Sequence, residues 1–251
     1  MKLTGNTILI TGGGSGIGLG LAEGFHKLGN QVIIAGRRQD VLDQATADNP
    51  GMKSIVLNIE DPASIAATVQ KLTTEFPALN AVLNNAGIMR TEPLQNAAVA
   101  DAEAIVTTNL LGPIRLTAAL MPHLLEQPAA TILNVSSGLG FVPLAFAPTY
   151  CATKAALHSY TQSLRYQLKD TAIKVVEIIP PWVATELMGP TPSDPRAMPL
   201  DKYIAETMSL LGADADEIIV ENVKFLRNAA VGGNEIAFFK TFNDAMSQTP
   251  H

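Results

Sequence analysis

Tyr150 and Lys154 stand four residues apart in the run "TYCATKAALHSY" (149–160), whose other members are mostly small or apolar. On a helix, residues i and i+4 share a face with Cβ atoms roughly 5–6 Å apart, so the lysine ammonium is expected beside the phenol oxygen. Such a pair suits proton transfer. A free tyrosine titrates near ~10, which leaves about one in a thousand ionised at neutral pH. Lowering that value by about three units takes about 4 kcal/mol, and one unit charge at ~4 Å supplies this at an effective dielectric of ~20. Burial of the phenolate opposes the shift. A second chemical feature is "TGGGSGIG" (11–18), which follows a short apolar run and opens a helical pattern. Backbone N–H groups and the helix dipole at that junction favour an anion such as a pyrophosphate. The spacing, G-x-x-x-G-x-G through Gly12, Gly16 and Gly18, fits neither G-x-G-x-x-G in any register nor the GK[ST] of a P-loop.

These residues lie at the junctions of a regular alternation. Near-continuous apolar runs at 7–11, 31–36, 53–58, 80–87, 130–137 and 173–179 read as strands buried on both faces. Helical patterns near 17–29, 39–47, 62–76, 98–126 and 150–169 separate them, and "EIAFF" (235–239) reads as a seventh strand. A βαβα order with right-handed crossovers predicts an α/β fold: one domain over 1–251 with a doubly wound, mostly parallel seven-stranded sheet flanked by helices. The Pro/Gly-rich stretch after the sixth strand reads as a substrate lid around 182–212.

With 47% hydrophobic and 16% charged residues among 251, the chain can bury one large core. The 17 basic and 23 acidic residues give a net charge of −6 without a Lys/Arg stripe, which argues against nucleic acid. Cys151, the one cysteine, has no internal disulfide partner, and the first residues run straight into a strand. No uninterrupted apolar run approaches the ~18 residues that cross a bilayer. A cytoplasmic protein without a membrane segment is expected. No Cys/His cluster has metal-ligand spacing, so no metal is expected.

In this order and in a chain of this length, "TGGGSGIG", "NNAG" (84–87), Ser137 in "NVSSG" and "YCATK" (150–154) resemble the short-chain dehydrogenase/reductase family. The resemblance spans essentially the whole chain. It implies a Rossmann-type sheet that binds NAD(H) or NADP(H) across the carboxyl ends of its strands, at the topological switch point. It further implies phosphate contacts at Gly12, Ser15, Gly16, Ile17 and Gly18, and cofactor contacts at Asn58, Ile59, Asn85, Ala86, Gly87, Pro180, Val183 and Thr185. Asn58 stands where the family often has an Asp against the adenine amino group. Pro181 replaces the family's Gly in "PPWVAT", which stiffens the turn and removes an N–H.

At the end of the second strand an NAD site would place an acidic side chain on the ribose. Here Gly36 occupies that position, and Arg37 and Arg38 follow; a guanidinium can pair bidentately with a 2′-phosphate. NADP(H) is therefore the expected cofactor, with NAD(H) as the alternative, and Asp40 is expected to support the next helix.

By the same resemblance the reaction is alcohol/carbonyl interconversion. Tyr150 exchanges a proton with the substrate oxygen, Ser137 hydrogen-bonds that oxygen, and Lys154 also holds the nicotinamide ribose. Asn109 kinks the long helix and supports a water chain to the lysine. Ser136 is disfavoured by spacing. Cys151 reads as a buried filler and His158 as a packed or surface histidine. Trp182, Leu187, Met188, Leu139, Phe141 and Leu144 are the candidate apolar substrate wall. The family usually forms dimers or tetramers through its long helices. Two other readings remain: a non-catalytic dinucleotide-sensing protein, and an isomerase or dehydratase that retains its cofactor.

Overall fold

Strand-forming Val, Ile and Leu runs build one seven-stranded parallel sheet in the computed structural model, which describes residues 1–96, 99–189, 194–213, 215–229 and 235–247. The strands are β1 (Thr7–Thr11), β2 (Gln31–Gly36), β3 (Lys53–Val56), β4 (Leu79–Asn84), β5 (Ala130–Val135), β6 (Ile173–Ile179) and β7 (Glu217–Ile219). Their spatial order is β3-β2-β1-β4-β5-β6-β7. The chain winds outward from β1 to β3, crosses back, and lays β4 on the other side of β1. The crevice at the ends of β1 and β4 is thus the switch point of the sheet.

Helices cover both faces because the central strands are apolar on both. Ile8 and Ile10 of β1 join α1 (Gly16–Lys27), α2 (Gln39–Asp48) and α7 (Leu200–Leu211) in one core. Leu9, between them in sequence, joins α3 (Pro62–Glu75), α5 (Gly112–Leu125) and α6 (Pro148–Gln167) in the other. Alternate side chains of one strand anchor opposite layers, as the two-residue period requires. Asp61 caps α3, its carboxylate accepting from Ala63 N at 2.9 Å ahead of Pro62.

Several expectations shift at their edges. β3, β4 and β5 end at Val56, Asn84 and Val135 because the residues beyond leave the sheet as the turns that shape the crevice. The long helix expected over 98–126 is α4 (Val99–Val106), a π-turn (Thr107–Leu111) and α5; residue 98 lies outside the described residues. This composite helix, Val99–Leu125, is long and apolar enough by composition to cross a membrane, although Asp101, Glu103 and Arg115 interrupt it and it holds no unbroken apolar run of that length. Leu116, Leu120 and Leu124 bury its inner face on the sheet.

The seventh strand is a correction. It is Glu217–Ile219, paired with β6 through Ile178↔Ile218 and Ile179↔Ile219. "EIAFF" instead begins helix α9 (Glu235–Ser247), where Phe238, Phe242 and Met246 recur every four residues and pack inward. The 182–212 stretch has two parts. Val183 bridges Met198, and α7 beyond it packs on α1 with Tyr203 fully buried, so that half belongs to the core.

Candidate active site

Three glycines let the β1–α1 turn close tightly. Gly12 and Gly16 have φ of 64° and 54°, the left-handed region that other residues rarely enter. A Cβ on Gly18 would lie 2.2 Å from the Gly12 carbonyl oxygen. Thr185, from the segment after β6, lies over the turn, within 3.6 Å of the Cβ position of Gly16. The neighbouring strand end locks this turn in place. Asn85 Nδ2 donates to Thr11 O and Gly12 O at 3.0 and 3.3 Å, while Thr11 Oγ1 accepts from the Asn85 and Ala86 amides at 3.0 and 3.1 Å. Asn85 is therefore a tie between strands, whereas Ala86 and Gly87 line the crevice.

That crevice is a cavity of about 210 Å³ running from Gly12, Gly14 and Ser15 past Gly36 to Arg37 and Arg38, with Ile59 and Ala86 among its walls. Ile17 and Gly18 lie just behind it on α1, Gly18 buried. Asn58 is turned to local work: its Oδ1 accepts from Glu60 N at 3.2 Å. The two arginines differ. Arg37 pairs with Glu60 at 3.0 Å, and the same Glu60 oxygen accepts from Thr108 Oγ1 at 2.8 Å. The exposed Arg38 makes no side-chain hydrogen bond or ion pair with the described residues. Asp40 is in the first turn of α2, as expected.

α6 presents Tyr150 and Lys154 on one buried face, with the lysine Nζ 5.6 Å from the tyrosine ring centre. Ser137 hydrogen-bonds Tyr150, and its Oγ also accepts from Leu139 N at 3.1 Å, which orients the hydroxyl. Pro180 O accepts from Gly138 N at 3.0 Å and fastens the ends of β5 and β6 together beside it. Lys154 Nζ donates to Val135 O at 2.8 Å.

The titration of the pair departs from the expectation that the lysine depresses the tyrosine. Burial pushes the Tyr150 phenol up to about 12, although the Ser137 hydrogen bond opposes the rise. Burial likewise pulls Lys154 down to about 8, against the field of Glu177. Burial is the leading cause for both groups, and the ammonium is anchored on the Val135 carbonyl. Tyr150 is thus held protonated at neutral pH.

Asn109 lies in the π-turn, where its side chain takes both backbone groups of Ile88: Oδ1 accepts from Ile88 N at 2.8 Å and Nδ2 donates to Ile88 O at 2.9 Å. Its Nδ2 is also 3.4 Å from Thr153 Oγ1 on α6. The residue therefore couples the kinked helix to the helix carrying the tyrosine.

The apolar wall is partly redrawn. Leu139 and Leu144 do pack in the cluster around Tyr150, with Met89, Phe146, Phe242 and Met246. Phe141 faces the opposite core and meets His158 edge-on at 4.7 Å. Trp182 carries the Arg196 guanidinium over its ring, and Leu187 and Met188 are exposed. Sequence reading missed α9 as a wall and also missed Glu92, whose buried carboxylate accepts from Thr149 N and Oγ1 at 3.0 and 2.5 Å and so caps α6. Glu92 had no local signal, because it lies 57 residues upstream of its partner.

Residues 6–196 match the short chain dehydrogenase family. The chain is 39% identical over 236 residues to the uncharacterized oxidoreductase DltE of Bacillus subtilis, covering 91% of this chain and 93% of that one. It is 33% identical over 192 residues to the NADP-dependent 3-hydroxy acid dehydrogenase of Schizosaccharomyces pombe, covering 74% of each. Among solved structures, NADPH-bound carbonyl reductase from chicken fatty liver superposes with a TM-score of 0.75 at 28% identity, over 84% of this chain and 92% of that one. Glycine turn, parallel sheet and Ser/Tyr/Lys cluster agree with this match, and the chain belongs to the short-chain dehydrogenase/reductase family of NAD(P)-dependent oxidoreductases.

Proposed function

We propose that this protein is a cytoplasmic NADP(H)-dependent oxidoreductase that interconverts a ketone or aldehyde and an alcohol, with Tyr150 as the acid/base. The observation that carries the reading is the buried group Ser137, Tyr150 and Lys154, linked through Asn109 to Ile88 in the wall of a crevice that reaches Arg38. The residues fit a dinucleotide. The turn is closest at Gly13 and Gly18, where an added Cβ would lie 2.7 Å from Ile34 and 2.2 Å from Gly12 O, and Arg38 stands just beyond β2, where a 2′-phosphate is recognised. When bound, the reduced nicotinamide supplies the hydride.

The chain's own residues do the rest. Ser137 Oγ, fixed by Leu139 N, is aimed to hold the substrate oxygen beside the Tyr150 phenol. Tyr150 Oη carries the proton that oxygen needs, and burial keeps the phenol in its protonated form, the form that donates in carbonyl reduction. Lys154 uses one N–H on Val135 O and has two more for a ribose. The apolar cluster of Met89, Leu139, Leu144, Phe146, Phe242 and Met246 keeps water from the tyrosine and supports an apolar substrate.

Cofactor choice is tested at the arginines. Arg38→Ala is expected to raise KM for NADPH by about tenfold to a hundredfold with little change for NADH, from loss of a charge-assisted pair. Arg37→Ala should cost less, since Glu60 already occupies Arg37. Equal losses with both cofactors, or a wild type that prefers NADH by tenfold, would contradict NADP(H) recognition. A homodimer or homotetramer is supported by Val99, Leu125 and Tyr166, large exposed side chains on the long helices α4, α5 and α6. Light scattering should give two or four times the 26.5 kDa chain mass, and a monomer would contradict it.

A further inference from the structure

Glu177 is a carboxylate in the middle of β6 with no exposed surface, and the proton-transfer reading leaves it without a role. Its oxygens are divided between two partners. Oε1 accepts from Ser136 Oγ at 2.5 Å, and Oε2 is 2.7 Å from His158 Nδ1. A charge taken wholly out of water is costly unless it is hydrogen-bonded and paired, so this placement calls for an explanation. His158 continues the face of α6 that holds Tyr150 and Lys154, one more turn along. The carboxylate and the lysine also hang from consecutive residues at the end of β5. Val135 O takes Lys154 Nζ, and the Ser136 hydroxyl reaches Glu177.

The other charges nearby are largely paired, although Arg227 also feels the field of Glu177. Glu217 on β7 accepts from Arg227 at 2.9 and 3.2 Å, and that guanidinium lies 4.7 Å over the Phe141 ring that also packs on His158. His158, Glu177 and Glu217 lie within 4.8 Å of one another, a metal-like grouping. Arg227 on Glu217 and the internal His158–Glu177 bond take up those ligand atoms instead. Tyr150, neutral at physiological pH, faces Lys154 from the same helix. Glu177 remains as the anion that acts on the lysine.

We propose that Glu177, held between Ser136 and His158, is a positioning residue that keeps Lys154 in its ammonium form in a dry site and thereby sets the alkaline edge of the enzyme's working range. The inference rests on the reading that Lys154 serves the Tyr150 chemistry. Its sign follows from the lysine's environment: burial drives Lys154 down to about 8 and the Glu177 field pushes it back up. Removing that field lets the ammonium lose its proton at lower pH.

The test is the pH profile of kcat for NADPH-dependent carbonyl reduction. Glu177→Gln keeps the shape and the acceptor for Ser136 but removes the charge, and should move the alkaline limb down by about one pH unit, a tenfold activity loss on that limb. Ser136→Ala breaks the hydrogen bond but keeps the charge, and should leave the limb in place. Should the Gln variant not fold, His158→Arg serves, because position 158 is partly exposed and a fixed cation on Glu177 also weakens the field at Lys154. Lys154 is titrated in the same proteins by NMR with isotope-labelled lysine, which needs no turnover. A lowered Lys154 midpoint in the Gln or Arg variant upholds the inference, and an unmoved midpoint overturns it. Lack of turnover in the wild type would count against the reductase reading alone.

Discussion

Phenylalanine at position 150 is expected to lower kcat for carbonyl reduction by about a thousandfold, in the middle of the range that loss of a general acid produces. The change removes one oxygen and leaves the ring among Met89, Leu144 and Cys151, so the fold and NADPH affinity should stay within about threefold in Kd. Ser137 keeps the Leu139 amide on its Oγ and so stays oriented, but it has no comparable proton to give. Because burial holds the phenol up at about 12, reduction should lose activity through Tyr150 deprotonation only in strongly alkaline solution. The earlier limb belongs to Lys154, near 8. Stopped-flow single turnovers separate the chemical step from cofactor binding. A Tyr150→Phe variant with more than about a tenth of wild-type rate would show that the proton comes from elsewhere.

The second large effect is at Gly18. Its φ is ordinary, so the constraint is space: an added Cβ would lie 2.2 Å from Gly12 O, 2.9 Å from Gly12 C and 2.5 Å from Asn85 Nδ2. Two of those atoms are backbone of the turn expected to cradle the phosphates, and they cannot swing away as a side chain would. Gly18→Ala is expected to weaken NADPH binding by about a hundredfold or more, measured by calorimetry. It should also destabilise the protein by roughly 1–3 kcal/mol, read as a lowered denaturation midpoint. Gly24→Ala, on the same helix, is the control: its Cβ would meet only the flexible Met208 side chain at 3.1 Å, so binding should be unchanged. Equal NADPH affinity in the Gly18 variant and wild type would remove the glycine turn from the cofactor site.

Short-range patterns carried much of this architecture. The four-residue step from Tyr150 to Lys154 fixes a shared helix face, and the largely apolar, buried runs of β1, β5 and β6 require cover on both sides. Where segments were misread, tertiary pairing outranked composition. "EII" at 217–219 is too short to signal a strand and exists because β6 presents an edge to it. "EIAFF" has strand-like composition, but the four-residue step through Phe238, Phe242 and Met246 makes it a helix.

Partners distant in sequence were equally hidden in the site. Nothing near Arg37 indicates that Glu60 will take it and leave Arg38 free. Asn109 is legible as a helix-kinking residue, yet its hold on both backbone groups of Ile88 depends on the π-turn. The raised titration of Tyr150 follows from its burial, which, like the Lys154 contact with Val135 O, appears only once β5 and α6 are packed together.

The most direct measurement is NADPH consumption by the purified wild-type protein across a panel of apolar ketones, aldehydes and a 3-oxo acid, with alcohol product quantified in parallel. An NADP(H)-dependent carbonyl reductase should form one alcohol per NADPH consumed, turn over much faster with NADPH than with NADH, and show its best kcat/KM for an apolar carbonyl. Tight NADPH binding with no oxidation on any member of the panel would contradict it and favour a dinucleotide sensor; turnover of substrate without net NADPH loss would favour an isomerase or dehydratase.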